Sequence, residues 1–140
     1  MEGLLKDNKG SIMLEFAICG TMFIGIVLAM VVMGMWMYNT SQVKQAARIA
    51  ALRVAVTDNV AEARQAAYEY LDDSLIACPV KNASSSASQN YGYGMAEALM
   101  NPLFPGFQRL IDPTGKSTIN GKIRIRKESQ AVREYRFRDD

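Results

Sequence analysis

Apolar residues crowd the first third of the chain and thin out afterwards. Residues 16–37, FAICGTMFIGIVLAMVVMGMWM, carry no charged side chain. At a rise of about 1.5 Å per residue they make a helix roughly 33 Å long, enough to cross a hydrocarbon core of about 30 Å. The pattern predicts a membrane-spanning helix. A secretory signal peptide would carry an apolar core of only about 7 to 15 residues followed by a small-residue A-x-A-like site, and the YNTSQ after this run offers none. Trp36 and Tyr38 close the span, where amphipathic rings favour the interface, and Asn39, Thr40 and Ser41 begin the polar flank.

Helical preference continues through SQVKQAARIAALRVAV, where Val43, Ala47, Ala50 and Val54 share a face and Ala is the strongest helix former. VTDN then breaks or bends the helix. Asn59 with Glu62 three residues later fits an N-cap and its partner, opening VAEARQAAYEYLDDSLI with Val60, Ala63, Ala67, Leu71 and Leu75 on an apolar face. Residues 79–94, with Pro79 and the nearly uncharged NASSSASQNYGYG, read as a linker or exposed loop. MAEALMNPLF predicts a short helix ahead of turns at Pro102 and Pro105, and FQRLIDPTG leads to another turn at residues 113–115.

The period then changes to two. Asn120 and Gly121 form a favoured tight-turn pair, and Ile123 and Ile125 alternate with Arg124 and Arg126 as a half-buried strand requires. AVREYRFRDD is the expected partner strand, with ESQ near the turn and Tyr135 and Phe137 on one face. The expected fold class is α+β: an N-terminal transmembrane helix continuing into a helical stalk, a second amphipathic helix, and a small C-terminal antiparallel β-sheet or hairpin. Its divisions are 1–10, a short polar leader; 11–38, the span; 39–78, the helical region; 79–94, the linker or loop; and 95–140, a small α+β region.

The net charge of +2 raises no whole-protein field, so nucleic acid is not an expected partner. Without His, and with Cys19 in the span and Cys78 far beyond it, neither a zinc ligand set nor an intramolecular disulfide framework is expected. No cofactor is expected either, nor catalysis, for no phosphate loop, nucleophile elbow or metal cluster appears. Cys78 reads as a small buried residue or as a thiol for an intermolecular disulfide. Residues 116–140 hold eight basic and four acidic side chains. Arg124, Arg126, Arg136 and Arg138 therefore make a candidate face for an anionic ligand, or simply keep an exposed strand soluble.

Within the span, Ala17, Thr21, Gly25 and Ala29 recur every four residues, a small-residue stripe along which another helix can approach. Small residues are also ordinary in membrane helices. Ahead of it, Gly10 is followed by Ser11, with Glu15 five residues after the Gly and Phe16 next. A carboxylate at the middle of a spanning helix costs about 2.5 to 3.5 kcal/mol, less near an end, so such a group usually has a partner or a function.

The leader MEGLLKDNKG, ending in Gly10 and followed by Glu15, Phe16 and an apolar run, resembles the processing site of type IV prepilins. More narrowly, GSIMLEFAI, the long apolar helix and then AARIAALRVA resemble the TadE-like family of minor pilins or pseudopilins from tight-adherence (Flp-type) pilus systems. The resemblance covers roughly residues 9–56. It implies a membrane-embedded prepilin peptidase cutting between Gly10 and Ser11 on the cytoplasmic face of the bacterial inner membrane. It also implies residues 39–140 outside the cytoplasm, partnership with other pilin subunits and pilus assembly proteins, and a role in surface attachment. Basic residues counted alone would reverse that orientation, since Lys44, Arg48 and Arg53 outnumber Lys6 and Lys9; the cleavage motif takes precedence.

The residues make physical sense of such a cut. Gly10 lets the backbone lie extended in a cleft and discourages helix upstream of it. Cleavage would expose an α-amine of pKa near 8 on Ser11, four residues before Glu15. An i,i+4 pair, or a pair with a neighbouring subunit's terminus, then becomes available to Glu15, and the first helical turn favours its charge. The simpler role for Glu15 is an anchor among lipid headgroups. The alternative for the whole chain is an unprocessed single-pass binding module with an outward basic hairpin.

Overall fold

A computed structural model describes residues 8–103 and 106–133. The chain divides into two units after Gly34. Helix α1 (Asn8–Thr57) gives its first half to one and its second half to the other. Thr21, Thr40 and Thr57 each return their hydroxyl to the carbonyl four residues back, at 2.8 Å, so these polar side chains need no partner outside the helix.

In the first unit, large apolar side chains from Ile12 to Met33 stand exposed all around α1, among them Phe16 at 80% and Phe23 at 68%. Val32 is buried, but the other large apolar side chains of this stretch are uncovered by protein, as those of a lipid-facing helix are.

In the second unit, α1 ends where expected and by a definite break. Asp58 takes φ 55° and donates its N–H to Val54 O, and Asn59 then caps α2 (Val60–Ser74) by accepting from the amides of Ala61 and Glu62. A four-stranded antiparallel sheet follows, with strands β1 (Val80–Ala87), β2 (Tyr91–Met100), β3 (Thr118–Ile119) and β4 (Lys122–Val132) in the order β1-β2-β4-β3. The α+β class is as the sequence predicts. So is the turn at Asn120 and Gly121, both at positive φ, which reverses the chain between β3 and β4.

Three local expectations are corrected. Residues 79–94 are not a linker: they contain β1 and the start of β2, paired from Val80↔Leu99 to Ala87↔Gly92. The helix predicted in MAEALM is the rest of β2, and the short helix falls instead at α3 (Phe107–Ile111). The segment ESQ does not turn but continues β4, whose long partner is β2, in register from Tyr91↔Val132 to Met100↔Ile123. In each case local propensity yields to pairing with a distant strand. The partner strand expected in AVREYRFRDD lies mostly outside the described residues.

The core is built from small residues. Along β2 the inward positions are Gly92, Gly94, Ala96, Ala98 and Met100. They lie against the second half of α1, where Val43, Ala46, Ala47, Ala50, Ala51 and Val54 are fully buried. The two glycines bring backbone onto backbone. A methyl group on Gly92 would come 2.6 Å from Ala51 O and 2.8 Å from Ala55 N. One on Gly94 would come 2.5 Å from Ala51 N and 2.8 Å from the Ala50 Cβ, and closer still to Ala47 O. Helix α2 covers β1: Ala63, Ala67 and Leu71 are buried, and Ser85 Oγ donates to Val60 O at 2.9 Å.

Replacing Gly94 by Ala is expected to destabilise the second unit by about 1 to 3 kcal/mol, since helix and strand must separate to admit the methyl. Chemical denaturation of the full chain in detergent, followed by circular dichroism, should show a lower midpoint than the native chain; an unchanged midpoint would disprove the close packing.

Candidate membrane and assembly segment

The residues expected to govern processing and assembly lie along the first half of α1. Gly10, Ser11, Glu15 and Phe16 are all exposed. The helix places Ser11 and Glu15 one turn apart on a common face. It also begins at Asn8, so Gly10 does not end it on the upstream side as the sequence predicts. One Gly costs only about 1 kcal/mol against Ala, little for a helix already nucleated by tens of residues. A peptidase acting between Gly10 and Ser11 must therefore unwind a helical turn.

Ala17, Thr21, Gly25 and Ala29 line one face farther along. Nothing lies within 4 Å of the place a Cβ on Gly25 would occupy. A shallow recess formed by Ala17, Ile18, Thr21 and Met22 opens on the same face. The stripe is unoccupied among the described residues.

The basic strand does not hold four free cations together. Arg124 donates to Glu97 at 2.8 Å, and that carboxylate raises the guanidinium's pKa further. Arg126 donates from Nε and Nη2 to one oxygen of Glu128, at 3.1 and 2.6 Å. Arg136 and Arg138 lie outside the described residues. For the two that are described, cross-strand and same-strand carboxylates take up much of the charge that an anionic ligand would otherwise meet.

Cys78 is buried, with its thiol directed to Ile76 O at 3.5 Å, whereas Cys19 is exposed. An intermolecular disulfide through Cys78 would require opening its loop. Burial pushes this thiol up to about 11, with Lys81 partly offsetting the shift.

The residue that sequence reasoning missed is Asn39. Placed by its position just past the span, it looks like polar flank; in the structure it is fully buried. Its amide donates to Ile76 O at 2.8 Å and accepts from Ile76 N at 3.1 Å, pairing with both backbone groups of one residue. Each group left unpaired there would cost about 1 to 3 kcal/mol. The usable signal is a polar side chain inside a helix whose next buried positions, Val43, Ala46 and Ala47, follow at helical spacing.

Residues 10–52 match the TadE-like protein family. Over this stretch the chain is similar to TadE-like proteins. The match begins at Gly10, takes in the whole uncharged run, and ends at Leu52 on the part of α1 that carries the sheet. No curated protein and no solved structure matches the chain. The TadE-like segment thus contains Glu15, the small-residue stripe and Asn39, while the strands lie beyond it. One long apolar helix in this segment fits a single-pass membrane protein of a pilus system.

In a Cys19→Ala chain, Cys78 should resist iodoacetamide at pH 8 while folded and react rapidly once unfolded. Because its folded pKa is raised from 9.0 to about 11, the stability it contributes is complete below about 9 and is lost as pH rises through about 11. Equal alkylation rates in folded and unfolded chain would contradict the buried placement.

Proposed function

We propose that the protein is a pilin-like structural subunit, a minor pilin or pseudopilin of a tight-adherence pilus system. Residues 11–38 hold it in the bacterial cytoplasmic membrane, its N-terminus is cytoplasmic, and residues 39–140 face outward. A prepilin peptidase cuts after Gly10, and the processed subunit joins other pilin subunits and assembly proteins in a pilus used for surface attachment. The observation carrying this reading is the TadE-like match, which starts at the residue preceding the expected cut and takes in a stretch of α1, from Ile12 to Val31, whose large apolar side chains stand exposed.

The chemistry of assembly follows from charge and solvent. The bilayer receives the apolar helix, and loss of the leader leaves an ammonium group on Ser11 beside Glu15. In a medium of low dielectric the two charges favour each other far more than they would in water. Glu15 is then satisfied by its own terminus or by that of an adjacent subunit, and the second pairing sets the register between helices. The small-residue stripe allows such helices to approach closely. The sheet-bearing unit supplies the exposed surface of the subunit, and the role is structural, not enzymatic.

The helical turn across Gly10 favours a second reading, an unprocessed single-pass binding module. Mass measurement of the protein from its host separates the two. The pilin-like reading expects a chain beginning at Ser11, and an intact leader on assembled material would exclude it.

Glu15→Gln should leave insertion and cutting intact and lower incorporation into pili severalfold, measured as the ratio of subunit in sheared pili to subunit in membranes. Normal incorporation would remove Glu15 from the assembly step.

A further inference from the structure

Strand β4 has an open side. Thr118 and Ile119 pair with Ile123 and Lys122, Arg124 N donates to Ser117 O at 2.7 Å, and beyond that point no described strand covers this edge. A groove of about 350 Å³ lies here, walled by Trp36 of α1, by Lys116 and Ser117 ahead of β3, and by Arg124, Arg126 and Lys127 of β4.

Its charge is unbalanced. Glu97 offsets Arg124 and Glu128 offsets Arg126, but Lys116 and Lys127 have no ion pair among the described residues. Arg124 Nε is buried and has no acceptor there either. The groove therefore brings together two ammonium groups that no described carboxylate offsets, a combination suited to a phosphate monoanion. Trp36 belongs to the last two residues of the uncharged run, so its wall of the groove stands where the membrane gives way to water.

We propose that this groove binds the phosphate headgroup of an anionic phospholipid in the leaflet that meets Trp36, with Lys116 and Lys127 supplying the charge and Trp36 lying against the glycerol and upper acyl chain. The inference rests on residues 16–37 spanning a bilayer. It differs from the strand-face site expected from the sequence, because the lysines, not the paired arginines, carry the selectivity. Bound lipid would fix the sheet-bearing unit against the membrane surface before the subunit leaves it.

Trp36 is the sole tryptophan, so its fluorescence reports on the groove. The full chain is reconstituted in phosphatidylcholine vesicles holding a minor fraction of phosphatidylglycerol, with bromine on the acyl chains of one lipid or the other at equal mole fraction. Brominated phosphatidylglycerol should quench Trp36 more strongly than brominated phosphatidylcholine. The preference should fall about fivefold for each lysine replaced in Lys116→Gln and Lys127→Gln. Lys44→Gln, close to the span but outside the groove, should retain it.

Equal quenching by the two lipids would overturn the site while leaving the span intact. So would a preference that survives the double replacement, or one lost equally in Lys44→Gln, which would point to surface charge in general. A groove that shifts its fluorescence on adding soluble glycerol phosphate yet shows no preference between the two brominated lipids would be a site for a free anion, which overturns the lipid. Absence of quenching by either lipid would remove the membrane span itself, and the proposal with it.

Discussion

The contact of β2 with α1 at Gly92 and Gly94 is the constraint on which the folded unit depends. With no side chain at either position, the strand rests on the helix backbone between Ala47 and Ala55. Everything else in the sheet is referred to that strand: β1 pairs along one side of it and β4 along the other. An interface of Gly and Ala buries less area per residue than one of Leu or Phe, but it loses almost no side-chain entropy and brings many backbone atoms into van der Waals range. The larger residues occupy the ends and margins of this contact, with Met100 and Ile123 at one end and Leu71 beneath α2.

One helix therefore serves two environments, and its composition changes accordingly. Up to Val31 it displays Phe, Ile, Met and Val to its surroundings; from Val43 to Ala55 it presents mostly Ala to protein and keeps Lys44, Arg48 and Arg53 outward. Asn39 stands between these stretches. By pairing with both backbone groups of Ile76, it ties the loop after α2 to α1 and satisfies a peptide that the sheet leaves unpaired. A hydrophobic residue at this position would fill space but orphan that peptide, which is why a buried polar side chain is tolerated so near the apolar run.

Charge is arranged with similar economy. Arg53 pairs with Glu62 at 3.1 Å between the two long helices, Lys81 with Asp72 at 2.5 Å between strand and helix, and Arg133 with Asp58 at the turn joining α1 to α2. Exposed pairs such as Arg53 with Glu62 add at most about 1 kcal/mol each. Their more important consequence is what remains: with Arg124 and Arg126 matched to Glu97 and Glu128, Lys116 and Lys127 are the groove's cations without an ion pair among the described residues. Lysine on an edge strand also discourages pairing with a second sheet.

The features determined by sequence alone were those set by neighbours in the chain. These include the uncharged run, the apolar face of α2 with its Asn59 cap, the turn at Asn120 and Gly121, and the TadE-like segment from Gly10. Each depends on helical or strand periodicity, on a local hydrogen bond or on a backbone angle. Only the tertiary structure decided that the serine-rich stretch is a strand, that MAEALM extends rather than coils, and that Asn39 is buried. One clue was present but was of size and not polarity: Gly92, Gly94, Ala96 and Ala98 alternate with Tyr91, Tyr93, Met95 and Glu97. A pattern of hydrophobic and polar residues is blind to such alternation, because a small residue gains its value only when another backbone comes to lie against it. That partner, Ala47 to Ala55 of α1, is some forty residues away in the chain and is brought there only by folding.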